Sequence, residues 1–248
     1  MTLRLLTYNI RYGGTGREAP LTAVIRQCDP DLVVLQEATS PDVVDRMARA
    51  ARMQVWAARR GNSLGFMSRV PVVEHAWHQP AGSRHAFLEI VLGDRACRVF
   101  GIHLSAVHAA WTERRRVREL RALLVAIKQH QHGFHLLAGD FNTLAPGELL
   151  DVRQLPFRLR PFVWLSGGAI RWRTIQEVLD ARYADAFRVK HPMATGLTFP
   201  TSNPHVRLDY VFIPSSQASR LKSCDVVTSD PAMAASDHFP LLADVDTP

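Results

Sequence analysis

Gly139-Asp140-Phe141-Asn142 follows the apolar run Phe134-His135-Leu136-Leu137-Ala138 and precedes Thr143-Leu144-Ala145-Pro146-Gly147. The first stretch has the composition of a short buried strand and the last that of a loop. A carboxylate and an amide thus leave a buried strand together. Residues i and i+2 of a strand face the same side. A carboxylate accepts a proton or binds a cation, and an amide offers donor and acceptor. Asp140 and Asn142 therefore suit orienting a water against a charged substrate. Alone, Asp-x-Asn reads more simply as a strand followed by an Asx turn. The remainder of the chain changes that balance.

Working outward, Leu3 to Asn9 alternates as a strand, and Gly13-Gly14 breaks it. Pro20 suits the first position of a helix striped by Leu21, Val24 and Ile25 and ending near Asp29-Pro30. Leu32-Val33-Val34-Leu35 reads as a fully buried strand that delivers Gln36-Glu37 at its end. Ser40-Pro41 opens a helix facing inward through Val43, Val44, Met47, Ala48 and Ala51. Further strands are expected at Met53–Ala57, Ser63–Ser68 and Val72–Trp77. Arg84–Leu92 and Arg95–Leu104 are expected as a hairpin about Gly93-Asp94. Thr112 is expected to cap a long helix reaching about Gln131, with Arg114, Arg115, Arg116, Arg118 and Arg121 as a solvated face. Residues 145–170 read as a long loop whose aromatics Phe157, Phe162 and Trp164 could stack on bases but more simply pack the loop. Thr174-x-x-Glu177 is a capping box for a short helix to about Tyr183. Strands then follow at His205–Ile213, Leu221–Thr228 and Leu241–Val245.

The 248 residues, 47% hydrophobic and 21% charged, are those of an ordinary globular protein with room for a large core. No stretch is apolar enough for a membrane span, and no signal peptide is evident. Cys28, Cys97 and Cys224 are odd in number and dispersed, which argues against a disulfide framework or a zinc site. A monomer in a reducing cytoplasm is the expectation. The net charge of +7 favours anionic partners. Of the 30 basic residues only Lys128, Lys190 and Lys222 are lysines. That skew fits phosphate binding by arginine forks and fits a G+C-rich coding sequence equally. With no repeat or linker, residues 1–248 read as one domain. Helices interspersed with hairpin-linked strands predict two stacked mixed β-sheets with helices outside.

Polar residues recur where the strands end: Asn9, Glu37, His103, Asp140 with Asn142, Asp209, and Asp237 with His238. Each has a dull explanation alone, a turn cap, a core histidine, or a pairing of Asp209 with Arg207. Together they define a chemistry. Carboxylates and an amide oxygen are hard ligands suited to magnesium or manganese. Two histidines suit proton transfer and stabilisation of phosphate charge. No His-Glu-x-x-His or Lys-bearing phosphate loop is present, and the carboxylates and histidines at the strand ends favour hydrolysis by activated water.

Thr7-Tyr8-Asn9-Ile10, Leu35-Gln36-Glu37, Gly101-Ile102-His103-Leu104, Gly139-Asp140-Phe141-Asn142, Arg207-Leu208-Asp209-Tyr210-Val211-Phe212 and Ser236-Asp237-His238-Phe239-Pro240 resemble, in order, the motifs of the endonuclease/exonuclease/phosphatase superfamily. The resemblance spans residues 7–240. It implies a DNase I-like four-layer α/β sandwich with the site at one rim of the paired sheets. By the same resemblance Glu37 binds the divalent metal, Mg2+ or alternatively Mn2+, with Asn9 and Asp237 close by. Asp140 would position or deprotonate the attacking water, with Asn142 as its phosphate-facing neighbour. His238, oriented by Asp209, would stabilise the phosphoryl oxygens or assist the leaving group. His103 would contact the phosphate from the other side, and Arg84 would be a further phosphate contact. Two features depart from the pattern. The stretch Ser63-Leu64-Gly65-Phe66-Met67 lacks the glutamate that some nucleases pair with the first histidine, and the tyrosine of apurinic endonucleases has no counterpart. The leading expectation is a metal-dependent phosphodiesterase acting on a phosphate ester such as DNA. A phosphomonoesterase, a lipid or metabolite phosphodiesterase, and an inactive binding module are the alternatives.

Overall fold

The computed structural model describes residues 1–93, 97–106, 109–130, 133–148, 151–154, 157, 160–165 and 172–248. Two six-stranded mixed sheets face each other. The first holds β1 (Thr2–Asn9), β2 (Leu32–Gln36), β3 (Val55–Ala58), β4 (Leu64–Ser68), β11 (Leu221–Val226) and β12 (Leu241–Asp246), in the order β11-β12-β1-β2-β4-β3. The second holds β5 (Val72–His78), β6 (Phe87–Leu92), β7 (Cys97–His103), β8 (His135–Asp140), β9 (Tyr183–Asp185) and β10 (Asp209–Pro214), in the order β5-β6-β7-β8-β10-β9. Each sheet is antiparallel except for a central parallel pair, β1 with β2 and β7 with β8.

Alternation along the strands sorts the side chains into layers. Leu3 and Leu5 of β1, Val34 of β2, Val99 of β7, Leu136 and Ala138 of β8 and Val211 of β10 meet between the sheets. Residues of the opposite parity meet the helices. Leu6, Tyr8, Val33 and Leu35 pack under α1 (Glu18–Cys28), α2 (Pro41–Ala50) and α7 (Asp230–Ala235). Phe100, Leu137, Tyr210 and Phe212 pack under α3 (Ala110–Ala126) and α5 (Arg173–Asp180). The expected four-layer sandwich is therefore observed, and its core is three apolar seams rather than one.

The same parity has a consequence at one rim. Asn9, His103, Asp140 and Asp209 continue the inward-facing series of their strands, at the C-terminal ends of β1, β7 and β8 and the N-terminal start of β10. Register brings three of them abreast, because Asp140 lies opposite His103 on one side and Asp209 on the other. Gly139 allows this pairing. A Cβ there would stand 1.9 Å from the Ile102 carbonyl oxygen, so only glycine lets β8 run this close to β7.

Several expected bounds shift. The strand expected from Arg84 begins at Phe87, and the one expected from His205 begins at Asp209, with Val206 forming only a single bridge to Phe199. β6 and β7 pair antiparallel as expected; Asp94, within their turn, lies outside the described residues. Pro20 falls in the first turn of α1, two residues after its start, where it still removes only an N–H that has no intrahelical acceptor. α3 begins earlier than expected and stops at Ala126, so Thr112 is not its cap but sits in its first turn, accepting from the Ala109 N–H. Within 145–170, α4 (Arg160–Leu165) is helical rather than loop. Phe157 and Trp164 are 80% and 77% exposed, so these two do not pack the segment. Phe162's side chain lies outside the described set.

The capping box at Thr174 is replaced by a longer-range device. The Thr174 N–H and hydroxyl donate to Glu113 Oε1 at 2.7 and 2.8 Å, so a carboxylate on α3 caps α5. Glu113 also holds Arg116 at 2.8 Å. Arg116 is consequently buried, unlike Arg114, Arg118 and Arg121 of the same cluster. Two more short helices lie outside the expected elements. α6 (Ala186–Lys190) is capped by Asp185, which accepts from the Arg188 N–H, and α7 follows Ser229.

Candidate active site

Asp140 is the centre of the rim. Its Oδ1 accepts the Asn142 N–H at 2.8 Å. Its Oδ2 accepts Nδ2 of Asn9 and Nδ2 of Asn142, each at 3.1 Å. Two imidazoles flank the same oxygen, His103 Nε2 at 3.8 Å and His238 Nε2 at 4.0 Å. The Asn142 amide also donates to the Leu104 carbonyl at 3.0 Å, and its backbone φ of 53° turns the chain away directly after the strand.

His238 is held from behind by Asp209, with Nδ1 and Oδ2 2.9 Å apart. The local alternative, Asp209 with Arg207, does not occur. Arg207 is buried against Asp185 and Glu148 at 2.6 and 2.7 Å. The main chain entering Asp209 is fixed by Thr198, whose hydroxyl accepts the Leu208 N–H at 3.1 Å. Phe199 packs its ring 4.7 Å from that of His238.

Across the cleft, the Glu37 carboxylate accepts Asn9 Nδ2 at 3.3 Å and the Tyr12 N–H at 2.6 Å. Asp237 pairs with Arg11 at 3.3 Å. Ser236 ties the two motifs together by donating to the Asn9 carbonyl at 2.7 Å. Asn9, Glu37, His103, Asp140, Asn142, Asp209, Asp237 and His238 thus converge through a continuous set of contacts. Arg84 lies apart, exposed in the segment before β6. Its neighbour His85 stacks on His103 with centroids 6.1 Å apart. Arg11, Tyr12, Thr198, Ser236 and His85 were not foreseen. Arg11 and Tyr12 follow Asn9 by two and three residues, but nothing in their residue type distinguishes them from an ordinary surface turn.

The electrostatics separate the titratable groups. Burial, reinforced by the Asp209 charge, outweighs the His238 charge and the amide donors and pushes Asp140 up to about 7. Burial alone would lower His238; the charge and hydrogen bond of Asp209, with Asp140 and Asp237 beyond, carry it up to about 9. Burial lowers His103 to about 4, and its Nδ1 is buried without a hydrogen-bond partner among the described residues. At neutral pH His238 is therefore a cation and His103 a neutral imidazole.

Two groups of donors could hold a divalent cation. Asp140, Asp209 and His238 offer atoms within 4.8 Å of one another, and Asp209 Oδ1 is buried without a hydrogen-bond partner. Glu37, Asn9 and Asp237 offer only hard oxygens, and of these Glu37 and Asp237 are partly exposed whereas Asn9 is buried. Among the described residues, no helix is long and apolar enough to cross a membrane.

Comparison with known proteins finds the same fold in solved structures. Solved structures of similar fold include an AP endonuclease from Archaeoglobus fulgidus, 16% identical with a TM-score of 0.76 over 98% of this chain and 99% of that one. The 3′ phosphatase NExo from Neisseria, bound to a product DNA hairpin, is 18% identical with a TM-score of 0.73 over 98% and 99%. An endonuclease/exonuclease/phosphatase from Beutenbergia cavernae is 22% identical with a TM-score of 0.74 over 99% of this chain and 72% of that one. A search of curated proteins by sequence finds no match. The sequence profile of the Endonuclease/Exonuclease/phosphatase family matches residues 6–238, and the chain belongs to that family.

Proposed function

We propose that this chain hydrolyses phosphodiester bonds of nucleic acid with a divalent cation, magnesium or alternatively manganese, through a water activated by Asp140. The observation that carries the reading is the environment of Asp140, a buried carboxylate fixed by two amides and flanked by two imidazoles. Its pKa, pushed up to about 7, suits a general base near neutral pH. As water attacks phosphorus, its proton passes to Asp140 and the bond to the leaving oxygen breaks. His238, charged and held by Asp209, donates to the oxygens on which negative charge grows. Neutral His103 can donate one further hydrogen bond. Both partners of the Asn142 amide lie within the protein, so its role is to orient Asp140.

Glu37, with Asn9 and Asp237, would hold the cation. The donor set fits, since it is all oxygen and includes two partly exposed carboxylates. The Asp140, Asp209 and His238 group fits less well, because a protonated His238 repels a cation and engages one of the two Asp209 oxygens. A bound divalent cation would supply charge neutralisation at the phosphate oxygens. Three buried free cysteines accord with a reducing cytoplasm, where we take the chain to act as a single-domain monomer.

Nucleic acid is favoured by the net charge of +7 and by the DNA-directed names of the similar folds. The Neisseria enzyme is a 3′ phosphatase, which gives a second reading, removal of a terminal phosphate. The test is hydrolysis of supercoiled plasmid, of a 3′-phosphorylated DNA hairpin and of bis(p-nitrophenyl) phosphate, with magnesium and with chelator. Nicking that needs the metal and falls roughly a thousandfold in Asp140→Ala is expected. Release of phosphate from the hairpin without nicking would favour the second reading. Inactivity on all three substrates, with manganese as well as magnesium, would overturn both.

A further inference from the structure

Glu119 of α3 is a buried carboxylate that belongs to none of the motifs. Its Oε1 lies 3.2 Å from His85 Nδ1 and accepts the Ser105 hydroxyl at 3.3 Å. Burial alone would raise its pKa. The His85 hydrogen bond and charge, with the Ser105 donors, outweigh that and keep it below the ordinary carboxylate value, so it is an anion. A buried anion on a helix, aimed at one nitrogen of a partly exposed imidazole, fixes the orientation of that ring.

The ring it fixes is beside the proposed site. His85 and His103 lie nearly parallel, 17° apart, and the segment carrying His85 leads directly into β6. Nδ1 of His85 faces Glu119, while Nε2 makes no hydrogen bond among the described residues and the side chain keeps 30% of its surface. His103, whose side chain keeps 15% of its surface, differs in having its Nδ1 buried with no hydrogen-bond partner among the described residues. The chain thus supports by a carboxylate not the histidine of the Gly-Ile-His-Leu motif but the one stacked against it.

We propose that His85 is a further substrate-contacting residue, held by Glu119 and presenting Nε2–H to an oxygen of the substrate phosphate. Contact with an anionic oxygen requires a proton on Nε2, and the Glu119 carboxylate opposite Nδ1 holds the ring with that nitrogen turned away from α3. The assignment rests on the phosphoesterase reading above for its substrate, but binding of phosphate itself can be measured without turnover.

The experiment compares wild type with His85→Gln and His85→Phe. The phenylalanine keeps a ring against His103 and removes both nitrogens. Inorganic phosphate affinity is measured by calorimetry with magnesium present, KM and kcat are measured on bis(p-nitrophenyl) phosphate, and unfolding is followed thermally. The expected result is a roughly tenfold to hundredfold loss of phosphate affinity and a matching rise in KM, with the melting temperature unchanged. Unchanged phosphate affinity and KM in two folded variants would overturn the proposal. So would joint loss of melting temperature and affinity in both, which would make His85 a fastener between α3 and β6. Wild-type protein that binds phosphate through His85 yet cleaves no ester would leave this inference standing and sink the hydrolase reading alone.

Discussion

Asp140 and His238 depart from their ordinary pKa in the same direction for opposite reasons, and each leaves a signature in stability. Asp140 rises from 3.8 to about 7, so the folded protein retains a proton that the unfolded chain releases; raising the pH through that window costs stability. His238 rises from 6.5 to about 9, so its stabilising contribution is complete below about 6.5 and is lost as pH rises through about 9. Thermal unfolding of metal-free Asp140→Asn should therefore show a gain over wild type of roughly 2 kcal/mol at pH 8 that is absent at pH 4. Asp209→Asn should do the reverse, costing about 3 kcal/mol at pH 6 and progressively less as pH rises from about 6.5 through about 9. Identical pH profiles for wild type and both variants would mean that these groups do not carry buried charge. The backbone is unusual at the same place. Arg11, Tyr12, Glu37 and Asn142 all adopt positive φ without being glycine, conformations that persist when surrounding contacts over-determine them. Tyr12 is 77% exposed, yet its N–H is held by Glu37.

At the scale of elements, β8 depends on one glycine. Gly139→Ala would force the new methyl into the Ile102 carbonyl of the neighbouring parallel strand. A loss of roughly 3 kcal/mol or more in urea unfolding, or failure to accumulate as folded protein, is expected; wild-type stability would refute the register described here. That strand and its neighbours were readable in advance because apolar alternation is a local signal, and the parity that buries Ala138 also delivers Asp140 inward. The helix starts were less readable. Ser229-Asp230-Pro231 carries the same Ser-and-Pro grammar as Ser40-Pro41, yet α7 has only six residues to display a stripe. α5 is capped by Glu113, 61 positions away from Thr174, and no window of sequence contains both. The same distance hides Glu119 behind His85. Such pairings exist only once two elements have packed, whereas the principal site residues could be read because each stands within a short local motif at the end or the start of a strand.

For the molecule as a whole, the question is whether the net charge of +7 serves the site. Much of the arginine is engaged locally. Arg4 with Asp244, Arg46 with Glu18, Arg49 with Asp45 and Arg121 with Glu177 are surface pairs within 3.0 Å, and such pairs are worth little and add no field. Arg116 and Arg207 are spent inside the fold. A long polyanion samples the summed surface charge and releases counterions along its length. A small diester samples only the cleft. If nucleic acid is the substrate, the apparent affinity for plasmid should fall with added salt, with a slope of log K against log salt of roughly −3 or steeper. KM for bis(p-nitrophenyl) phosphate should change little over the same range, because that ligand neutralises a single contact. Exposed Trp164 and Phe157 would add a salt-insensitive part to single-strand binding through stacking, removed in Phe157→Ala with Trp164→Ala. A flat salt profile for plasmid, alongside intact turnover of the small diester, would assign the excess charge to composition and the cleft to a small phosphate ester.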